Sequence, residues 1–397
     1  MKDFTYKLKE DVDVPEIVLQ KADDAFARIR MEGTSQMTNR NETGKNHRNR
    51  KSAAFRRKLV AGVCICVLAA GSITAIATTR HIWDRGMQGA LLATEEQKQE
   101  LTEQGTAVVI SEQDNYSDMS VTSGDVTVTP ETVVADKRFL YMSFSVTGYD
   151  VPEGEQPGFE SVNVYLGNDL EAGDSDLNCY PYFYDGVISD EEGNPVYEDG
   201  SALTQDEEGN IVYHYTDQNG NLNYVITASV TDINDSLLGK TVHVDLTNLG
   251  TLQKAEYNPC LEGNWNFTIS LPGTDPSEVI RTDAAVTGTD FAIKKIELSP
   301  VSIRLDYAVT GDTAAANEPD DIHGFETDRI PRFSGVILKD GTRIPYLADA
   351  GLLGYEDDTQ KEAYFLSGFD RVIDVEQVAS LLIMSPSTGE LIEVPLP

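Results

Sequence analysis

Three short stretches carry residue types that could do chemistry. Asp217, Asn219 and Asn221 stand at alternate positions, the spacing with which an EF-hand loop begins to gather oxygen ligands around Ca²⁺. The glycine comes too early, at Gly220, and no Glu closes the set, so a tight turn is the competing reading. Cys179 and Cys260 are the two cysteines beyond the first eighty residues; they could pair in an oxidising compartment, and two thiols are the alternative. Tyr180-Pro181-Tyr182-Phe183-Tyr184 could stack on sugar rings, although aromatic runs in β proteins also serve as core and cross-strand pairs.

The machinery of catalysis is missing from the sequence. His47, His81, His214, His243 and His323 form no H-E-x-x-H pair, and no G-x-S-x-G elbow, S-x-x-K pair, P-loop or G-x-G-x-x-G occurs. Acids are so abundant that close carboxylate pairs carry no specific message. Asn194-Pro195 and Asn258-Pro259 could host backbone cleavage, but such dipeptides ordinarily mark turns. The expectation is a protein that is not an enzyme, with no catalytic residue and no cofactor.

What positions any site is an uncharged run of twenty-one residues at 59–79, LVAGVCICVLAAGSITAIATT. As a helix it would be roughly 31 Å long, enough to cross a bilayer's hydrocarbon core once. Arg40, Lys45, Arg48, Arg50, Lys51, Arg56, Arg57 and Lys58 precede it against a single acid, Glu42. Residues 1–58 hold fourteen Lys and Arg against nine Asp and Glu, a net of +5, whereas residues 80–397 hold seventeen against fifty-seven, a net of −40. The positive-inside rule therefore puts the N-terminus in the cytoplasm and the large acidic part outside, at the plasma membrane. Such a surface repels nucleic acid. Ala75-Ile76-Ala77 looks like a signal-peptidase site, but the apolar run begins far from residue 1. Cys64 and Cys66 lie inside the run without a His or acid to make a metal site, and Trp83 suits the outer interfacial belt.

Within the tail, Asp13 and Pro15 open a helical pattern in which Leu19, Ala22, Phe26 and Ile29 share one side. One short amphipathic helix cannot bury that stripe alone, so these four residues are the candidate partner-binding face. Residues 32–52 have no apolar period and read as a flexible basic linker.

Beyond the run, residues 80–107 read as a juxtamembrane linker with a short helix, capped by Thr94 with Gln97 and ended by Gly105. From Val108 the texture is β. VTVTPETVVADKRFLYMSFSVTG, from Val126, and FAIKKIELSPVSIRLDYAVTG, from Phe291, have the same alternation and read as one hairpin used twice. The fold class expected is mainly β: two tandem immunoglobulin-like β-sandwich domains, at 108–275 and 276–397, outside one transmembrane helix and a short helical cytoplasmic tail. Between the hairpins, Asp190 to Asn194, Asp206 to Asn210 and Asp217 to Asn221 repeat one turn chemistry, with Gly and Asn where a positive φ is needed.

The order of these parts, with Val14-Pro15-Glu16 in the tail and VTVTPETVVADKRFLYMSFSVTGYD after the short helix, resembles the Gram-positive membrane proteins known as domain of unknown function 4179. The resemblance spans roughly residues 10–275, and residues 280–397 resemble the second immunoglobulin-like domain that often follows. It implies an anti-sigma-factor-like role, in which the cytoplasmic helix covers a sigma factor and the outer domains sense an envelope signal. The tail departs from the zinc-containing anti-sigma pattern, having His47 but no cysteine. The alternative is a membrane-anchored binding or adhesion module for an extracellular ligand or cell-wall component, with no cytoplasmic partner.

Overall fold

The computed structural model describes residues 63–66, 83–110, 119–152, 154–167, 177–253, 256–311 and 329–397. The candidate partner-binding residues Leu19, Ala22, Phe26 and Ile29 lie outside them, as do His47, His81 and His323. The described chain is mainly β. Its first part contains β1 (Val63–Cys66), α1 (Arg85–Ala90), α2 (Glu95–Glu103), β2 (Ala107–Val109), β3 (Val121–Ser123), β4 (Val126–Ala135), β5 (Phe139–Thr147), β6 (Gln156–Leu166), β7 (Leu177–Phe183), β8 (Val187–Ser189), β9 (Pro195–Tyr197), β10 (Leu222–Val230), β11 (Thr241–Gln253) and β12 (Glu256–Ser270). Its second contains β13 (Glu278–Ala285), β14 (Phe291–Leu298), β15 (Ser302–Val309), β16 (Arg332–Leu338), β17 (Arg343–Ile344), β18 (Ala348–Tyr355), β19 (Glu362–Phe369), β20 (Val378–Met384) and β21 (Leu391–Pro395).

Of the uncharged run at 59–79, only Val63–Cys66 is described, as a strand parallel to β12 with Val63 opposite Asn266. No helix among the described residues is long and apolar enough to cross a membrane.

Two sheets of the first unit, β1-β12-β11-β6 and β2-β4-β5-β10-β7 with β3 beside β4, face one another across a common apolar core. The alternation in β12 works as the sequence suggests: Trp265 and Phe267 are buried while Asn264, Asn266 and Thr268 stay on the outer side. Phe267 meets Phe144 of the opposite sheet at 5.3 Å between ring centres, and Trp265 donates its indole N–H to the Val126 carbonyl at 3.2 Å. Burying rings of this size contributes about 2–3 kcal/mol each. Pro130 interrupts β4 at no cost in pairing. β3 takes up Val126–Val128 and β2 takes up 132–134, so the missing N–H falls between the two partners, where the pairing with β5 also slips.

The hairpin read twice in the sequence forms twice. β4 and β5 pair antiparallel, as do β14 and β15, and each hairpin has the same neighbours: β2-β4-β5-β10-β7 matches β13-β14-β15-β19-β18 in order. The second unit closes with β17-β16-β20-β21 over its own core, and a single 3-10 turn, Val375–Gln377, leads into β20.

The two hairpins touch at their corners. Asp136 accepts the backbone N–H groups of Arg138 and Phe139 at 2.8 Å, and Ser299, 163 residues on, accepts those of Val301 and Ser302 in the same way. Ser299 Oγ then donates to Asp136 Oδ2 at 2.5 Å, and Ser302 Oγ donates to the same oxygen. Around this joint, Arg138 pairs with Glu297, Arg138 Nε and Arg304 Nη1 both donate to the Ile233 carbonyl, and the buried Tyr141 hydroxyl bonds to the backbone of Phe369 at 3.0 Å. Burial lifts the Tyr141 phenol well above its ordinary range, with the charge of Asp349 adding to it, so it stays a neutral donor.

Candidate functional site

Asp217 is already fully used by its own turn. Its Oδ1 accepts the N–H groups of Asn219 and Asn221 at 2.8 Å, and Oδ2 accepts the Asn221 amide at 3.3 Å. Both carboxylate oxygens thus take part in the turn, and among the described residues no group of three or more His, Cys, Asp and Glu is placed to hold a metal ion. The turn reading is the one the geometry supports.

The same arrangement recurs at Asp190 and Asp206, each accepting from the residues two and four positions on, with Gly193, Gly209 and Gly220 at φ between 82° and 89°. The backbone of this turn, with Tyr197 in place of the capping Asp, is repeated from Tyr197 to Ser201, with Gly200 at φ 81°. Backbone and amide hydrogen bonds hold the Asp190 and Asp206 carboxyls below the usual carboxylate range.

Cys179 and Cys260 are not in a disulfide. Cys179 lies on β7 and Cys260 on β12, strands of different sheets, and the Cys260 thiol donates to the Asn258 carbonyl at 3.6 Å. The pairing considered from the sequence is therefore not formed. In the aromatic run, Phe183 stacks on Phe159 at 5.4 Å and meets Tyr224, and Tyr184 is buried, so those two serve the core, while Tyr180 is about half exposed. His243 stacks on Tyr165 across β11 and β6, and His214 packs edge-on against Tyr197.

The four turns belong to one insertion between the paired strands β7 and β10, residues 185–221, which contains ten Asp and Glu and no Lys or Arg. With little apolar content it is organised by Tyr197, whose hydroxyl bonds Thr204 Oγ1 at 2.8 Å and the Val212 carbonyl at 2.7 Å. Two arginines from elsewhere in the chain pin this acidic lobe. Arg85 of α1 lies over the Tyr184 ring at 4.9 Å, donates Nε to both Glu198 oxygens at 2.9–3.0 Å, and reaches the carbonyls of His214 and Tyr215 at 2.6 and 3.3 Å. Arg371, in the second unit, donates Nη2 to the carbonyls of Ser189 and Asp190 at 3.0 Å, steadied by Asp370. A planar guanidinium that fans several donors from one centre suits such a clamp better than an ammonium would.

The segment carrying Arg85 is no linker. Trp83 is 4 % exposed and lies beneath Lys98, away from any surface belt, and Met87 and Leu91 are completely buried in the first core. Asp84 caps α1 by accepting from Gly86 and Met87, and it takes a hydrogen bond from Ser143 of β5. Burial raises the Asp84 carboxyl above its ordinary value, although these hydrogen bonds oppose the shift. Gly89 lets the helix press on Tyr184, since a Cβ there would stand 2.2 Å from the ring. Leu92 then donates to the Asp370 carbonyl and accepts from Val372, both at 2.8 Å, forming a parallel bridge to the second unit. The expected helix follows, with Thr94 and Gln97 in a reciprocal capping box and Gly105 at φ 71°.

Sequence reasoning singled out none of Asp84, Arg85, Asp370 or Arg371. The one available signal is an imbalance: ten acids in a row of turns without a Lys or Arg among them favour contact with cations from outside the segment.

No protein-family model matches this chain, and no curated protein matches it. Among solved structures, it is similar to a conserved domain protein from Bacillus anthracis, with a TM-score of 0.38 and 14 % sequence identity over 68 % of this chain and 78 % of that one.

Proposed function

We propose that the chain is a single-pass membrane signalling regulator of the anti-sigma kind. Residues 1–58 form the cytoplasmic tail, 59–79 cross the bilayer, and the two units of facing sheets form tandem immunoglobulin-like domains outside. The observation that carries this is the division of charge, +5 before an uncharged run of bilayer length and −40 after it. The shared strand order of the two units supports the tandem-domain reading. In this reading Val63–Cys66 leaves the edge of β12 when the run enters the bilayer, because four residues cannot serve both.

Leu19, Phe26 and Ile29 would bury their stripe on a sigma factor and cover the surface with which it binds polymerase; catalysis plays no part. Two measurements test the reading. Protease added to intact cells should digest the part beyond residue 83 and spare the tail. Full-length protein should co-purify with a sigma factor from its own cells, and a chain lacking residues 1–35 should not. If the truncated chain behaves like the parent and the outer body alone retains a wall ligand, the adhesion reading replaces the regulatory one.

A further inference from the structure

The ten residues from Trp83 to Leu92 touch every part of the folded body. Asp84 holds Ser143 of the first unit, Arg85 holds Glu198, His214 and Tyr215 of the acidic lobe, and Leu92 pairs with Asp370 and Val372 of the second unit. The second unit in turn grips the lobe through Arg371, one residue from the carbonyl that Leu92 bonds. The contacts thus form a closed ring: segment to lobe, lobe to second unit, second unit back to segment.

We propose that Trp83–Leu92 is a strap, and that drawing it toward the N-terminal side releases the acidic lobe from Arg85 and from Arg371 of the second unit. The lobe has the chemistry of a part held from outside. It carries ten acids with no Lys or Arg, has few buried apolar residues, and repeats turns closed mainly by local hydrogen bonds. Segments with few buried apolar contacts open first, while β4, β5 and β10, whose apolar residues line the core, open last. The strap's grip is concentrated in one side chain, because Arg85 supplies the ion pair, the ring contact and both carbonyl contacts. The inference uses only contacts within the described body and stands whether or not the tail binds a sigma factor.

Hydrogen–deuterium exchange of the full-length protein tests it. Arg85→Ala should speed exchange about tenfold or more at Val187, Tyr197, Glu198 and His214, and leave the amides of β4 and β5 unchanged as an internal check of folding. Leu92→Pro is the decisive variant. It removes the N–H given to Asp370 and touches no lobe residue, yet the ring predicts faster exchange in residues 185–221 as well as at Val372. If Arg85→Ala fails to fold, Arg85→Lys, which keeps the charge and loses the fork, should show the same pattern to a smaller degree. Lobe amides that exchange at the parent rate in Leu92→Pro would overturn the proposal, because the strap would then be only local packing.

Discussion

Ser299 donates its hydroxyl to Asp136, so the residues that cap the equivalent turns of two hairpins, 163 positions apart, are bonded to each other. Each caps its own corner by accepting two backbone N–H groups, and the hydrogen bond between them makes the two corners one joint. The joint depends on a carboxylate in one copy meeting a hydroxyl in the other.

Removing that carboxylate takes the shared acceptor from two buried N–H groups and leaves the Ser299 and Ser302 hydroxyls, 3.2 Å apart, with each other. Asp136→Ala should lower unfolding stability by about 3 kcal/mol, and Ser299→Ala by about 1 kcal/mol. The double variant should cost measurably less than the two single losses together, because both remove the same bond. Denaturant titration of the four proteins checks this, and strict additivity would separate the corners energetically.

Gly89→Ala places a methyl group into the buried Tyr184 ring, so either the helix or the ring must shift. A loss of about 1–3 kcal/mol is expected. Gly273→Ala, where nothing lies within 4 Å, should change the melting temperature little.

The pH dependence has two opposing parts. The Asp84 carboxyl is raised by burial, with its hydrogen bonds acting against that rise, so the native state binds its proton before the unfolded chain does. Its contribution to stability therefore grows as pH falls through the raised value toward 3.8. Burial pushes Glu297 up too, but the Lys295 hydrogen bond and the charges of Arg138, Lys295 and Lys137 more than offset it and leave the group below 4.5. The stability Glu297 supplies is complete above 4.5 and is lost as pH falls through its depressed value. Asp84→Asn should abolish the first slope and Glu297→Gln the second, as read from melting temperatures across mildly to strongly acidic buffers.

Calcium should leave the melting midpoint where it is. An ion bound only by the native state would raise the midpoint, and the Asp217 oxygens are already committed to Asn219 and Asn221. A rise on titration that EDTA reverses would show a site built from other groups.

Features whose cause is local were legible in the sequence. The alternation around Leu140 and Phe144 and around Ile303 and Leu305 marked a strand in each hairpin, but it did not reveal that the opposite face is covered too, where Tyr141, Ser143, Ser302 and Arg304 are also buried. The Asp-to-Asn turns and the Thr94 cap were readable for the same reason, each depending on side chains a few residues from the backbone they satisfy. The strap was not readable. Arg85 and Glu198 are 113 positions apart, and Leu92 reaches Asp370 across most of the chain, so no window of sequence contains both partners. Trp83 misled for a related reason: a tryptophan beside an uncharged run suits a membrane interface and a protein core equally well, and only packing under Lys98 decides between them.

Corner-to-corner attachment has a mechanical corollary. Only the short stretch from Leu271 to Ser277 joins the two units in sequence, yet Asp136, Arg138 and Tyr141 knit them at the side, so there is no slack for one to swing about the other. Stretched between its ends, the molecule should yield in one abrupt rupture instead of two successive ones.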